Sequence, residues 1–249
     1  MDFEGQKHVV VGAASGIGRA AAQRLASLGA TVACADINLE GAEKTAAEIE
    51  AQGGSATAAF VDVTQGDQVH SAIRDVIDRL GSIQAMVNCA GITGETGMDT
   101  HEVDVEDFDR VYEVNLRGAL FLSQAIIPHM VENGYGRILH VASISGKDGN
   151  AGMAAYSATK AGLIGLVKVM GKEYATTGVT VNSLAPAVIY TPIHDEMPEE
   201  QITYMTSKIP MGRTGTLDEA ADTIAWIVSR ENSFVTGFTF DLTGGRAVY

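Results

Sequence analysis

The chain has 249 residues, 46% hydrophobic and 19% charged, which supplies one sizeable core and excludes a disordered or collagen-like polymer. Acidic residues outnumber basic ones by 31 to 17, and the net charge of −14 repels a nucleic-acid backbone or an anionic membrane surface. No stretch approaches the roughly 18 uninterrupted apolar residues of a spanning helix, and the start MDFEGQKHVVVG lacks a basic region followed by an apolar one; neither membrane insertion nor export is expected, and the reducing cytoplasm is the default location.

Short β-branched runs alternate with longer amphipathic ones along the whole chain, without a linker, repeat or low-complexity tract. Strands are expected near Lys7 to Ala13, Thr31 to Asp36, Thr57 to Asp62, Ala85 to Ala90, Arg137 to Ala142, Val179 to Ala185 and Thr239 to Leu242. Helices are expected between them, near Gly16 to Leu28, Leu39 to Gln52, Gln65 to Leu80, Glu106 to Glu132, Gly152 to Thr176 and Leu217 to Ser229. Most of the strand segments are too apolar to expose either face, as in a parallel sheet covered on both sides. The pattern predicts an α/β protein: a single domain over residues 1–249, with a doubly wound sheet of seven strands and a ligand crevice at their carboxyl ends. The stretch from about 187 to 215 breaks the rhythm, carries Pro192, Pro198 and Pro210, and is expected to form a small lid over a substrate.

Between the first strand and the first helix, VVVGAASGIGRA sets Gly12, Gly16 and Gly18 in a tight turn that also contains Ser15. Glycines there let the backbone approach a pyrophosphate, whose charge is met by the free N–H groups and dipole of the helix N-terminus. Asp36 follows at the end of the second strand, 18 residues beyond Gly18, where a carboxylate accepts hydrogen bonds from an adenosine ribose and repels a 2′-phosphate. No Arg or Lys stands between Ala13 and Ser15, and Ile37 follows the acid, so a Rossmann-type site for NAD is expected in preference to NADP.

Tyr156 and Lys160 are four residues apart, on one face of a helix. A free phenol, with a pKa of about 10, is a poor base at neutral pH until a nearby cation stabilises the phenolate. Ser143, at the end of the fifth strand, can donate a hydrogen bond to a substrate oxygen. The histidines and the two cysteines, Cys34 and Cys89, show no spacing of a metal site, and none is expected. Ser143 also lies in no Gly-x-Ser-x-Gly elbow, which leaves hydrolase chemistry without support.

The turn Gly12, Gly16, Ile17 and Gly18, the pair Asp62 and Val63, the Asn88, Ala90, Gly91 motif, and the set Asn115, Ser143, Tyr156 and Lys160 occur in one order. In this the chain resembles the short-chain dehydrogenase/reductases over essentially its whole length. The resemblance implies hydride transfer between NAD and a secondary alcohol or ketone, with Tyr156 as acid and base. It further implies that Asp62 and Val63 touch the adenine, that Asn115 serves a water-linked proton relay from Lys160, and that Thr191 and the backbone of Ile189 hold the nicotinamide. Val11 stands where Thr is usual, Cys89 where a second Asn is usual, and Ala187 where Gly is commoner.

Polar residues gather where this family forms its substrate pocket: Ser145, Lys147, Asp148 and Asn150 after the fifth strand, His194 and Asp195 in the expected lid. Such groups suit a polyhydroxylated ligand better than an apolar one. The runs SISGKDGN, APAVIYTPIHDEM, IPMGRTGT and DLTGGRAVY resemble a branch of the family that oxidises 2-keto-3-deoxy sugar acids, and Lys147, Arg213 and Arg246 are the candidate partners for a substrate carboxylate. A neutral sugar or polyol dehydrogenase, a 3-oxoacyl-carrier-protein reductase and a non-catalytic dinucleotide sensor are the alternatives. The resemblance also implies a homotetramer, with Ala247, Val248 and Tyr249 free to dock on a neighbouring subunit or to remain an exposed tail.

Overall fold

The computed structural model describes residues 1–191, 203, 206–247 and 249. Seven strands, β1 (Lys7–Val11), β2 (Thr31–Asp36), β3 (Ser55–Phe60), β4 (Ala85–Asn88), β5 (Gly136–Val141), β6 (Val179–Pro186) and β7 (Thr239–Leu242), form one sheet in the order β3-β2-β1-β4-β5-β6-β7. Every adjacent pair is parallel. Among the described residues the helices include α1 (Gly16–Ser27), α2 (Leu39–Ala51), α3 (Gly66–Leu80), α4 (Val105–Tyr112), α5 (Gly118–Glu132), α6 (Ser145–Asp148), α7 (Ala154–Glu173) and α8 (Leu217–Ile227).

The two-residue period of the strands divides the core into two layers. Val10, Val32, Cys34, Val87, Leu139 and Leu184 face α1, α2 and α8, meeting Leu25, Ile49 and Ile224. Val9, Val11, Met86, Ile138 and Val181 face the other way, against Ile73 of α3, Leu122 and Ile126 of α5, and Val167 of α7. A fully buried Leu or Ile contributes about 1.5–3 kcal/mol, so the alternation in runs such as VVV fixes the register: a one-residue slip would turn each side chain to the wrong layer.

Several element limits differ from expectation for local reasons. β4 stops at Asn88, whose Oδ1 accepts the Ala90 N–H at 3.1 Å and turns the chain out of the ladder. The expected helix from Glu106 to Glu132 is interrupted by a π-helical turn at Glu113–Arg117, centred on buried Asn115. The short helix α6 had no periodic signal, and α7 ends at Glu173 rather than Thr176. Thr216 and Glu219 form a capping box that starts α8.

Candidate active site

The strand order reverses between β1 and β4, so the loops that leave their carboxyl ends diverge and open a crevice. Two cavities lie along it. One, of about 300 Å³, is lined by Gly12, Ser15, Asp36, Ile37, Asp62, Val63, Ala90 and Gly91 among others. The second, of about 220 Å³, is lined by Ile17, Gly91, Ser143, Tyr156, Lys160, Ile189 and Thr191 among others. Gly91 and Ile92 belong to both walls, which makes the pair one elongated trough.

The glycine turn is built for close approach. A Cβ on Gly12 would sit 2.8 Å from the Ala90 nitrogen, and one on Gly18 would overlap the Gly12 carbonyl. Gly16 has φ +53 and nothing within 4 Å of its absent Cβ, so it leaves the mouth of α1 open. Ser15, the N-cap of α1, makes no side-chain cap, and no acid lies in the first turn of that helix. Its N–H groups and dipole are therefore available to a pyrophosphate, and the residues present fit a dinucleotide.

Asp36 Oδ2 accepts the Ala14 N–H at 2.9 Å and Oδ1 accepts the Asn38 N–H at 2.9 Å. Those bonds hold the carboxylate at the cavity wall and leave a lone pair on each oxygen for a ribose hydroxyl. Asp62 Oδ1 receives the Thr64 N–H at 3.0 Å and its hydroxyl at 2.8 Å, so this acid shapes the turn that carries Val63. Asn88 stands behind the cavity: its Nδ2 bonds His140 Nδ1 at 3.2 Å, and His140 Nε2 bonds Ser123 Oγ at 3.1 Å. Burial, helped by the nearby Lys160 charge, brings His140 down to about 3. A neutral ring accepts from Asn88 and donates to Ser123, whose hydroxyl passes to the Ala119 carbonyl at 2.8 Å.

Lys160, buried on α7, donates to the Val141 carbonyl at 2.8 Å, and its ammonium lies 5.7 Å from the centre of the Tyr156 ring. Burial lowers Lys160 to about 8, with the charge of Cys89 opposing. Burial raises Tyr156 above the ordinary phenol range, while a hydrogen bond with Ser143 opposes that rise. Ser143 Oγ in turn accepts the Ser145 N–H at 3.1 Å. A half-buried phenol, a donor hydroxyl and a buried cation thus converge on one wall, the arrangement that general acid-base chemistry on a carbinol needs. Burial pushes both thiols, Cys34 and Cys89, up to about 12, which removes them as nucleophiles at neutral pH.

Asn115 does not line the cavity. Its Oδ1 accepts the Ile92 N–H at 2.8 Å, and its Nδ2 donates to the Ile92 carbonyl at 2.9 Å and to Thr159 Oγ1 at 3.2 Å. The side chain thereby braces the loop after β4 against α7, one residue from Lys160. Thr159 is a site residue the sequence reading missed; its only signal was its place between Tyr156 and Lys160.

Each of the candidate substrate cations has a partner within the chain. Lys147 bonds both oxygens of Asp241, at 2.8 and 3.0 Å. Arg213 forms a two-pronged bond with Glu219, at 2.7 and 2.9 Å, on the wall of a cavity of about 570 Å³ that shares Ala187 with the trough. Arg246 is shared between Asp148 at 3.2 Å and Asn150 at 2.8 Å. Three free cations for a carboxylate are thus not what these residues provide. Ser145 and Asn150 bond each other at 2.6 Å beside Ser143. The tail also folds onto its own chain, where the Tyr249 hydroxyl donates to the Lys147 carbonyl at 2.8 Å. His194 and Asp195 lie outside the described residues, as does the rest of the expected lid from 192 to 202 and at 204 and 205. Among the described residues no group of three or more His, Cys, Asp or Glu could hold a metal ion, and no helix is long and apolar enough to cross a membrane.

Comparison with known proteins accords with this geometry. Residues 12–246 match a family model described as enoyl-(acyl carrier protein) reductase. The chain is 42% identical over 247 residues, 99% of its length and 97% of the relative's, to a 2-dehydro-3-deoxy-L-rhamnonate dehydrogenase (NAD(+)) of Sphingomonas sp. (strain SKA58). It is 37% identical over 248 residues, the full length of both chains, to a 3-oxoacyl-acyl-carrier-protein reductase of Thermotoga maritima. The crystal structure of gox2181 superposes with a TM-score of 0.95 at 29% identity, covering 100% of this chain and 98% of the other. Sequence, fold and the Ser143, Tyr156 and Lys160 wall agree, and the chain belongs to the short-chain dehydrogenase/reductase family of oxidoreductases.

Proposed function

We propose that the protein oxidises a secondary hydroxyl of a sugar acid, of the 2-keto-3-deoxy class, with NAD as hydride acceptor. The observation that carries this reading is the 42% identity to a sugar-acid dehydrogenase along essentially the whole of both chains, joined to Ser143 on the cavity wall with Ser145 and Asn150 hydrogen-bonded beside it. NAD rather than NADP is supported by Asp36, whose charge faces the cavity and would repel a 2′-phosphate.

NAD supplies the hydride-accepting ring when bound; the rest of the chemistry belongs to the chain. Ser143 accepts from the Ser145 N–H, which leaves its own proton to donate to the substrate oxygen. Tyr156 removes the hydroxyl proton on oxidation and returns it on reduction. The hydrogen bond with Ser143 opposes the burial that disfavours the phenolate, and Lys160, held on Val141, places a cation 5.7 Å from the centre of the ring. With Lys147, Arg213 and Arg246 already paired, the acid end of the substrate is met by Ser145 and Asn150.

Residues 1–249 read as one catalytic domain, with about 187–215 as its lid. The two ends of that stretch are tied together, with Tyr190 N–H on the Gly215 carbonyl at 2.8 Å and Gly215 N–H on the Val188 carbonyl at 2.9 Å, as a closed loop requires. A homotetramer is supported by exposed Tyr112, Leu120, Val169, Trp226 and Phe238, apolar side chains on α4, α5, α7 and α8 and beside β7. A cytoplasmic location is supported by the two unpaired cysteines.

The second reading is 3-oxoacyl-carrier-protein reduction, favoured by the 37% identity to the Thermotoga maritima enzyme. The two separate on initial rates with NAD and NADP over a panel of sugar acids, neutral sugars, polyols and hydroxyacyl thioesters. A preference for sugar acids with NAD supports the first reading, and a preference for thioesters with NADP overturns it.

A further inference from the structure

The four residues of α6 follow directly on the strand that delivers Ser143, and a helix of one turn does not hold its own shape in water. Gly146 and Gly149 lie inside and just after it, the latter at φ +70, so the segment 145–150 has little internal stiffness. Gly146 packs against the backbone of α7 at Lys160, and the Asn150 N–H donates to Ser157 Oγ at 3.2 Å; from the far end of the chain two clasps hold the segment as well.

In the first, Arg246 Nε bonds Asp148 and its terminal nitrogen bonds Asn150 Oδ1 at 2.8 Å. A guanidinium has only donors, so this contact fixes which way the Asn150 amide faces. Asn150 Nδ2 must then donate to Ser145 Oγ, 2.6 Å away. In the second, Lys147 is gripped by Asp241 and by the main-chain oxygen of Tyr249, and its ammonium lies over the Tyr249 ring at 4.7 Å. The Tyr249 hydroxyl closes the loop by donating to the Lys147 carbonyl at 2.8 Å. The side chains of Lys147 and Arg246 are 8% and 12% exposed and those of their partners Asp241 and Asp148 25% and 29%, so the cations are desolvated while the carboxylates remain in part open to solvent screening.

We infer that Arg246, Lys147 and Tyr249 are positioning residues: through the segment 145–150 they hold the Ser145 N–H on Ser143 Oγ, and so set Ser143 as a hydrogen-bond donor to the substrate oxygen. This rests on the reading of Ser143 as the group that polarises the substrate. It gives Lys147 and Arg246 a task other than binding a carboxylate, and it joins residues about 100 apart in the sequence to the reacting atoms.

The test is a double-mutant cycle on the alcohol that the wild-type enzyme oxidises best. Arg246→Ala is expected to lower kcat about 10-fold, with NADH affinity by titration unchanged, and to speed amide hydrogen exchange in a peptide spanning 145–153. In a Ser143→Ala background, Arg246→Ala is expected to lower kcat no further. Tyr249→Phe, an exposed change that does not threaten folding, is expected to give a smaller fall in kcat in the same direction. If Arg246→Ala lowers kcat equally in both backgrounds, or leaves both kcat and exchange unchanged, the positioning role is overturned. If Arg246→Ala fails to fold, Tyr249→Phe decides alone, and an unchanged kcat there counts against the clasp. If Ser143→Ala itself leaves kcat intact, the reading of the site fails, whatever the exchange data say of the clasp.

Discussion

The buried ammonium of Lys160 donates to the carbonyl of Val141 at 2.8 Å, pinning α7 to the end of β5 two residues before Ser143. One bond thus fixes the distance between the element that carries the base and the one that carries the polarising hydroxyl. Lys160→Met is expected to lower kcat by at least 100-fold, on the order of the usual contribution of a positioned acid-base group, and to weaken NAD. It is also expected to move the rising limb of the rate of alcohol oxidation to higher pH, because the phenolate loses its nearest cation. A kcat–pH profile checks this, and an unshifted limb would show that Lys160 does not tune Tyr156.

Asp36 is held by the Ala14 and Asn38 N–H groups rather than by a cation, so its full charge faces the cofactor cavity. Asp36→Ala is expected to raise KM for NAD about 10-fold, the loss of a charge-assisted hydrogen bond, and to improve NADP relative to NAD. Steady-state kinetics with both cofactors measure it. Equal losses for the two would mean that the carboxylate shapes the turn without reading the ribose.

His8 and His140 are fully buried and brought to about 3 by loss of solvation. In the unfolded chain each takes up its proton near 6.5, whereas the folded protein resists until about 3. The unfolded state therefore binds more protons in that window, and stability present above 6.5 is lost as pH falls. Each histidine contributes a slope of about 1.4 kcal/mol per pH unit. His8 packs edge-on against Phe3, and its Nδ1 has no partner among the described residues, so His8→Leu is expected to remove one such slope. Urea unfolding between pH 7 and 5 tests it, and parallel stability curves for the two proteins would refute the assignment.

A Cβ on Gly18 has no room, because the Gly12 carbonyl occupies its place. Gly18→Ala is expected to cost roughly 1–3 kcal/mol of stability as an overpacking change and to weaken NADH by forcing the turn apart. Thermal unfolding with and without NADH reports both. An unchanged shift on adding NADH would show that the turn does not cradle the pyrophosphate.

How much of this was legible in the sequence depends on the range of the interactions. The strand cores were legible because VVV at Val9 to Val11 or AMV at Ala85 to Val87 can be buried on both faces only in a covered parallel sheet. The cofactor turn, Asp36 and the Tyr156, Lys160 pair were legible because each is local. The π-helical turn at Asn115 was not, since it answers to Ile92, 23 residues earlier. The pairing of Lys147 with Asp241 and of Arg246 with Asp148 spans 94 and 98 residues, and nothing local separates such a cation from one free to meet a substrate.

The claim on which all of this turns is that Tyr156 exchanges the substrate proton in an NAD-dependent oxidation. Tyr156→Phe removes the hydroxyl and keeps the ring. NADH production by wild type and variant is measured on the best sugar-acid substrate, alongside NADH affinity by titration. A fall in kcat of at least about 100-fold with affinity unchanged is expected. Turnover retained in Tyr156→Phe would contradict the assignment and with it the mechanism.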